Sequence, residues 1–74
     1  MKVNKTQALL YMYSILMKNG KFTKQEIQAE IKINSLTFAR YIQELRAFFY
    51  NFYTGYEIIY IKKDDMYVLE SNFD

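Results

Sequence analysis

The chain reads as a mostly α-helical fold with a small β-hairpin: three helices plus a two-stranded wing, in a winged helix-turn-helix arrangement. Three observations predict it. Residues 22–47 carry two helix starts separated by a tight turn, a longer helix ending at a glycine precedes them, and the stretch after residue 55 alternates like paired strands. With 74 residues and 51% hydrophobic content, the chain holds a single domain, 1–74. Its core lies near the small end of what folds unaided.

Asn4, with Gln7 three residues on, marks the start of a first helix over about residues 5–19, and Gly20 suits its left-handed C-cap. Lys18 in the last turn complements the helix dipole. Leu9, Met12, Ile15 and Leu16 form the expected core face, yet Leu10, Tyr11, Tyr13 and Met17 leave little of the circumference polar. A helix apolar nearly all round is buried on more than one side. A second contact surface is therefore expected here, for a dimer partner or a further domain. The plainer alternative lays the tyrosines flat with their hydroxyls in water.

The second helix, about residues 24–31, starts at Thr23, with Glu26 at the spacing of a reciprocal capping box and Phe22 with Ile27 at the spacing of a hydrophobic staple. Its apolar stripe is only Ile27 and Ile31. Asn34 or Ser35 caps the third helix, about residues 35–50, and Ile33 with Phe38 repeats the staple. Only residues 32–34 remain for the turn, which suits two helices crossing steeply. Phe38, Ile42, Leu45 and Phe49 recur at spacings of four, three and four and face the core. The opposite side shows Leu36, Thr37, Arg40, Gln43 and Ala47.

Phe48, Phe49, Tyr50, Phe52 and Tyr53 put five aromatics in six residues. Stacking on unpaired bases is one use of such a cluster. No basic residue lies between Arg46 and Lys62, however, so the cluster reads as core and interface. After Asn51, Thr54 and Gly55, residues 56–62 and 66–70 form the wing, about residues 56–70, around the polar turn Lys63-Asp64-Asp65. Tyr67 and Leu69 are expected to face inward. Asp64 and Asp65 read as turn residues rather than a metal or acid–base pair.

The run Lys24-Gln25-Glu26-Ile27, then Ile33-Asn34-Ser35-Leu36-Thr37-Phe38-Ala39-Arg40-Tyr41-Ile42-Gln43-Glu44-Leu45-Arg46, resembles the N-terminal winged helix-turn-helix of bacterial DeoR-like transcriptional regulators. The likeness is greatest to those whose later part is a WYL-type ligand-sensing domain. Asn34, Thr37, Phe38, Arg40, Ile42 and Leu45 fall on that family's pattern, and Glu57-Ile58-Ile59-Tyr60 with Tyr67-Val68-Leu69 resembles its wing. The family often has basic or polar groups where Leu36 and Ala39 stand, aspartate at Tyr41 and a small residue at Gln28. The resemblance implies a sequence-specific duplex DNA-binding domain of a transcriptional regulator. It also implies a following effector domain; the chain ends at Asp74, just after the wing, and reads as an excised domain or a small stand-alone regulator.

In a helix-turn-helix the second helix enters the major groove with its N-terminal residues nearest the base edges. Ser35, Leu36, Thr37, Arg40 and Gln43 are the base-reading candidates: Arg40 suits guanine, Gln43 adenine, and Leu36 or the Thr37 methyl a thymine methyl. Lys24, Lys32, Arg46, Lys62 and Lys63 are the phosphate-contact candidates, which position the module without choosing the sequence. Each has a plainer reading. The lysines are solvated charges, Arg40 pairs with Glu44 four residues on, and Arg46 is structural. One small module gains little beyond non-specific affinity, so a homodimer or the effector domain is expected to join two copies on duplex DNA.

The net charge of +2 is mild for a nucleic-acid binder. Together with Leu36 and Ala39 on the reading face, it favours the alternative: a winged-helix protein-interaction or dimerisation module without DNA. With no cysteine and no histidine, disulfides, cysteine-rich zinc sites and Cys or His nucleophiles are excluded. No other nucleophile–base pair assembles, so no enzyme, cofactor or metal is expected. No signal-peptide pattern opens the chain and the apolar run 8–17 is too short for a bilayer, so a cytoplasmic protein with no membrane partner is expected.

Overall fold

The computed structural model of the protein describes residues 2–71. In chain order it contains α1 (Lys5–Asn19), β1 (Lys21–Thr23), α2 (Lys24–Glu30), α3 (Ser35–Phe52), β2 (Tyr56–Ile61), a 3-10 turn (Lys62–Asp64) and β3 (Met66–Ser71). Most described residues are helical, and one antiparallel sheet of three strands completes the fold in the order β1-β3-β2.

Every helix start is set by a side chain. The Asn4 side chain accepts the Gln7 N–H at 2.8 Å, and that of Asn34 accepts the Thr37 N–H at 2.8 Å. At Thr23 the capping box is complete: the hydroxyl accepts the Glu26 N–H at 3.1 Å, and the Glu26 carboxylate accepts the Thr23 N–H at 2.9 Å. Gly20 ends α1 in the left-handed conformation, φ 78°, where a Cβ would be strained, and its N–H donates to Leu16 O at 2.8 Å.

The expectation of a two-stranded sheet is corrected: the described residues form three strands. Lys21, Phe22 and Thr23 pair with Val68, Tyr67 and Met66, and the Leu69 N–H donates to Gly20 O at 2.8 Å to extend the pairing. Three residues are too few to show alternation, so β1 exists only through its partner β3. Two boundaries also move. Helix α2 ends at Glu30, one residue short of expectation, and α3 runs two residues further, to Phe52.

The core is one cluster of Ala8, Met12 and Leu16 from α1, Phe22, Ile27, Ile31, then Phe38, Ile42, Leu45 and Phe49 from α3, and Ile58. All four residues of the α3 stripe are buried as their spacing requires. On α1 the buried row is shifted from expectation, because small Ala8 lies fully inside while Leu9 and Ile15 are only half-buried at its flanks. Phe22 anchors the centre, with rings of Phe38 at 6.1 Å and Tyr67 at 6.0 Å. Removing such a side chain costs about 3–5 kcal/mol. Tyr67 and Leu69 pack against this cluster from β3. No helix among the described residues is long and apolar enough to cross a membrane.

Candidate functional site

The buried stripe of α3 fixes what its other side presents. With Phe38, Ile42, Leu45 and Phe49 inside, Ser35, Leu36, Ala39, Arg40, Gln43 and Ala47 are exposed, and Thr37 is half-buried at the edge. Leu36 is 61% exposed. The Asn34 cap holds the first turn of this face by accepting one N–H, that of Thr37. Between α2 and α3 the chain turns through residues 31–34. Ile31 is buried there, and the Gln28 amide donates to Ile33 O at 3.2 Å. Gln28 therefore braces the turn that orients α3, a role its spacing in sequence does not announce.

Three base-reading candidates come together. Thr37, Arg40 and Gln43 line one shallow depression of about 500 Å³ with Lys5, Tyr41 and Glu44. Lys5 enters from α1 and was not among the expected residues. It is seated by an ion pair with Glu44 at 3.0 Å. Glu44 thus takes Lys5, and Arg40 has no ion-pair partner among the described residues. Ser35 and Leu36 lie one turn earlier at the exposed N-terminus of the same helix.

Gln43 also lines a second depression of about 540 Å³, between the later half of α3 and strand β2. Arg46 belongs to it, half-buried, and its Nη2 donates to Ile58 O at 3.4 Å. One arm of that guanidinium is committed to holding β2 against α3. The remaining phosphate-contact candidates are spread over three elements. Lys24 is half-buried at the start of α2, Lys32 is exposed in the turn, and Lys62 with Lys63 is exposed at the hairpin tip.

That tip is pinned by its own contact. The Tyr60 hydroxyl donates to Asp65 Oδ1 at 2.6 Å, and Asp65 adopts the left-handed conformation, φ 49°. The hydrogen bond, with smaller contributions from desolvation and the charges of Asp65 and Tyr67, holds the Tyr60 proton above the ordinary tyrosine range. On the far flank of α1, the Tyr11 hydroxyl is raised too, first by burial and then by Glu30 and Glu26 of α2.

The aromatic cluster is divided by burial, although the rings of Phe48, Phe49, Phe52 and Tyr53 touch one another. Phe49 is buried and Phe48 half-buried, whereas Tyr50, Phe52 and Tyr53 are exposed. No protein-family model, curated protein or solved structure matches the chain.

Proposed function

We propose that this protein is a winged helix-turn-helix domain that binds duplex DNA sequence-specifically for a bacterial transcriptional regulator. Helix α3 enters the major groove, and the β2–β3 hairpin is the wing, on the backbone or in the minor groove. The observation that carries this reading is the exposed face of α3, where Ser35, Leu36, Arg40 and Gln43 stand opposite a fully buried stripe. In a helix-turn-helix the first turns of the second helix meet the base edges, and these residues lie on the side of α3 away from the core. Two further features support it. Lys5 takes the Glu44 carboxylate beside Arg40, so Arg40 itself is not consumed by Glu44. The resemblance of residues 24–46 to DeoR-like regulators points the same way.

The test is a fluorescence anisotropy titration of the protein on mixed-sequence duplex DNA at about 50 and 200 mM salt, beside a single-stranded control. About four phosphate contacts make that salt increase weaken binding by roughly two decades. Duplex binding with this steepness supports the reading, after which operator selection gives the sequence read. Preference for the single strand, or absence of binding at both salts, rejects it.

One observation favours a second reading, a protein-interaction module. Leu36 is a large apolar side chain 61% exposed in the first turn of the presented face, one turn before Ala39 and Arg40. Failure of the duplex titration transfers the face to that role.

A further inference from the structure

Along α1 the residues turned to the core, Ala8, Met12 and Leu16, are spaced by four. A second apolar row, Leu10, Tyr13 and Met17, is spaced by three and then four, the repeat by which one helix lies along another. The fold leaves most of this row uncovered: Leu10 is 62% and Met17 49% exposed. Beside it runs a groove of about 410 Å³ between α1 and α3, walled by Leu9, Leu10, Tyr13, Glu44, Leu45 and Phe48. Phe52, 70% exposed, continues the apolar wall along α3 with its ring 5.4 Å from Phe48. Glu44 is the single charged residue in that lining, and it is already paired with Lys5.

We propose that this face is a homodimer interface, in which the Leu10–Tyr13–Met17 row of a second copy lies in the α1/α3 groove about a twofold axis. The face is self-complementary. Each copy carries both an apolar row, exposed at Leu10 and Met17 with Tyr13 packed on Phe48 and Phe49 between them, and an adjacent groove, as an isologous contact requires, so the exposed ends of each row meet the groove of the other. Its chemistry also fits a like partner: the centre is uncharged, and the Lys5–Glu44 pair sits at the rim where interfaces are polar.

Area tests whether the contact can reach the size of a specific interface. Taking about 200 Å² for a large apolar side chain, the exposed parts of Leu10, Met17 and Phe52 amount to roughly 360 Å² per copy. Two copies therefore remove about 700 Å² before the groove walls are counted, and approach the small end of specific interfaces, near 1,200 Å², once they are. A contact of that size belongs with weak, reversible associations. The row and groove do not include Arg40 or Leu36; the two surfaces meet at Glu44, which walls both depressions.

Sedimentation equilibrium on the whole chain tests it, for the wild type and Leu10→Lys, between about 5 and 500 µM. Wild type should show a monomer–dimer equilibrium with Kd on the order of 10–100 µM. Leu10→Lys, with helical circular dichroism retained, should stay monomeric across the range. Met17→Lys repeats the test about two turns away should the first variant fail to fold. A wild type that is monomeric at the highest concentration overturns the proposal. So does a dimer that both variants leave intact, which would place the contact elsewhere, with the outer edge of β2 the next surface to examine.

Discussion

Glu44 forms its ion pair with Lys5 of α1 at 3.0 Å, and not with Arg40 one turn earlier on its own helix. Both partners are more than half exposed, so the pair adds at most about 1 kcal/mol to stability. Its larger effect is on Arg40, whose guanidinium remains available on the presented face. Arg40→Ala should therefore leave stability within about 0.5 kcal/mol of wild type, as at other exposed sites. Duplex DNA binding should weaken by about 1–3 kcal/mol. Thermal melts and anisotropy titrations of the same variant check the two halves, and unchanged DNA affinity removes Arg40 from the reading face.

Arg46 is predicted to behave in the opposite way. Its stem is half-buried and one guanidinium N–H reaches Ile58 O at 3.4 Å, a long hydrogen bond that ties β2 to α3. Arg46→Ala should cost about 0.5–1.5 kcal/mol of stability, at the lower end if the length governs. Its DNA salt dependence should keep the wild-type slope. A slope smaller by about one would return Arg46 to the phosphate-contacting set.

Local devices were legible in the chain because their physics is local. Asn4, Thr23 and Asn34 cap their helices through contacts three residues away, and the α3 stripe repeats over more than three turns. What escaped depends on distant partners. Strand β1 is three residues long and is a strand only because Phe22 lies opposite Tyr67, 45 positions later. Lys5 joins Arg40 and Gln43 through the packing of α1 on α3, which no spacing within either helix encodes. Gln28 shows nothing in sequence of its role in the turn, where its amide donates to the Ile33 carbonyl. Ala8 was missed for a simpler reason: its small side chain carries little hydrophobic signal, although the closest approach of α1 to the core needs just such a residue.

The capping box at Thr23 gives a stability prediction with a built-in control. Thr23→Ala removes the oxygen that accepts the Glu26 N–H, and it leaves the reciprocal bond from Glu26 to the Thr23 N–H possible. A loss of about 0.5–2 kcal/mol is expected, lowering the melting temperature by roughly 4–8 °C per kcal/mol in a domain of this size. Thr23→Ser keeps the acceptor and should retain most of that stability. Equal loss in both variants would point to the half-buried threonine methyl, and not the cap, as the source.

The Tyr60–Asp65 contact makes the hairpin tip sensitive to alkali. The hydroxyl donates to the carboxylate at 2.6 Å, and this bond, ahead of desolvation and the neighbouring charges, raises the Tyr60 pKa above its ordinary value of about 10. A pKa higher in the folded chain than in the unfolded one means that the neutral tyrosine is favoured by folding. The contribution is therefore fully present below pH about 10 and is lost as pH rises through the folded value. At neutral pH the bond helps hold Asp65 in its left-handed conformation, and with it the turn that presents Lys62 and Lys63. Tyr60→Phe removes the donor and the titration together. Tyrosinate absorbance followed against pH, with the variant subtracted from wild type, isolates this one ring among eight tyrosines. The difference curve should be centred above the ordinary tyrosine value of about 10, and a rise at or below about 10 would show that the hydrogen bond does not persist in solution.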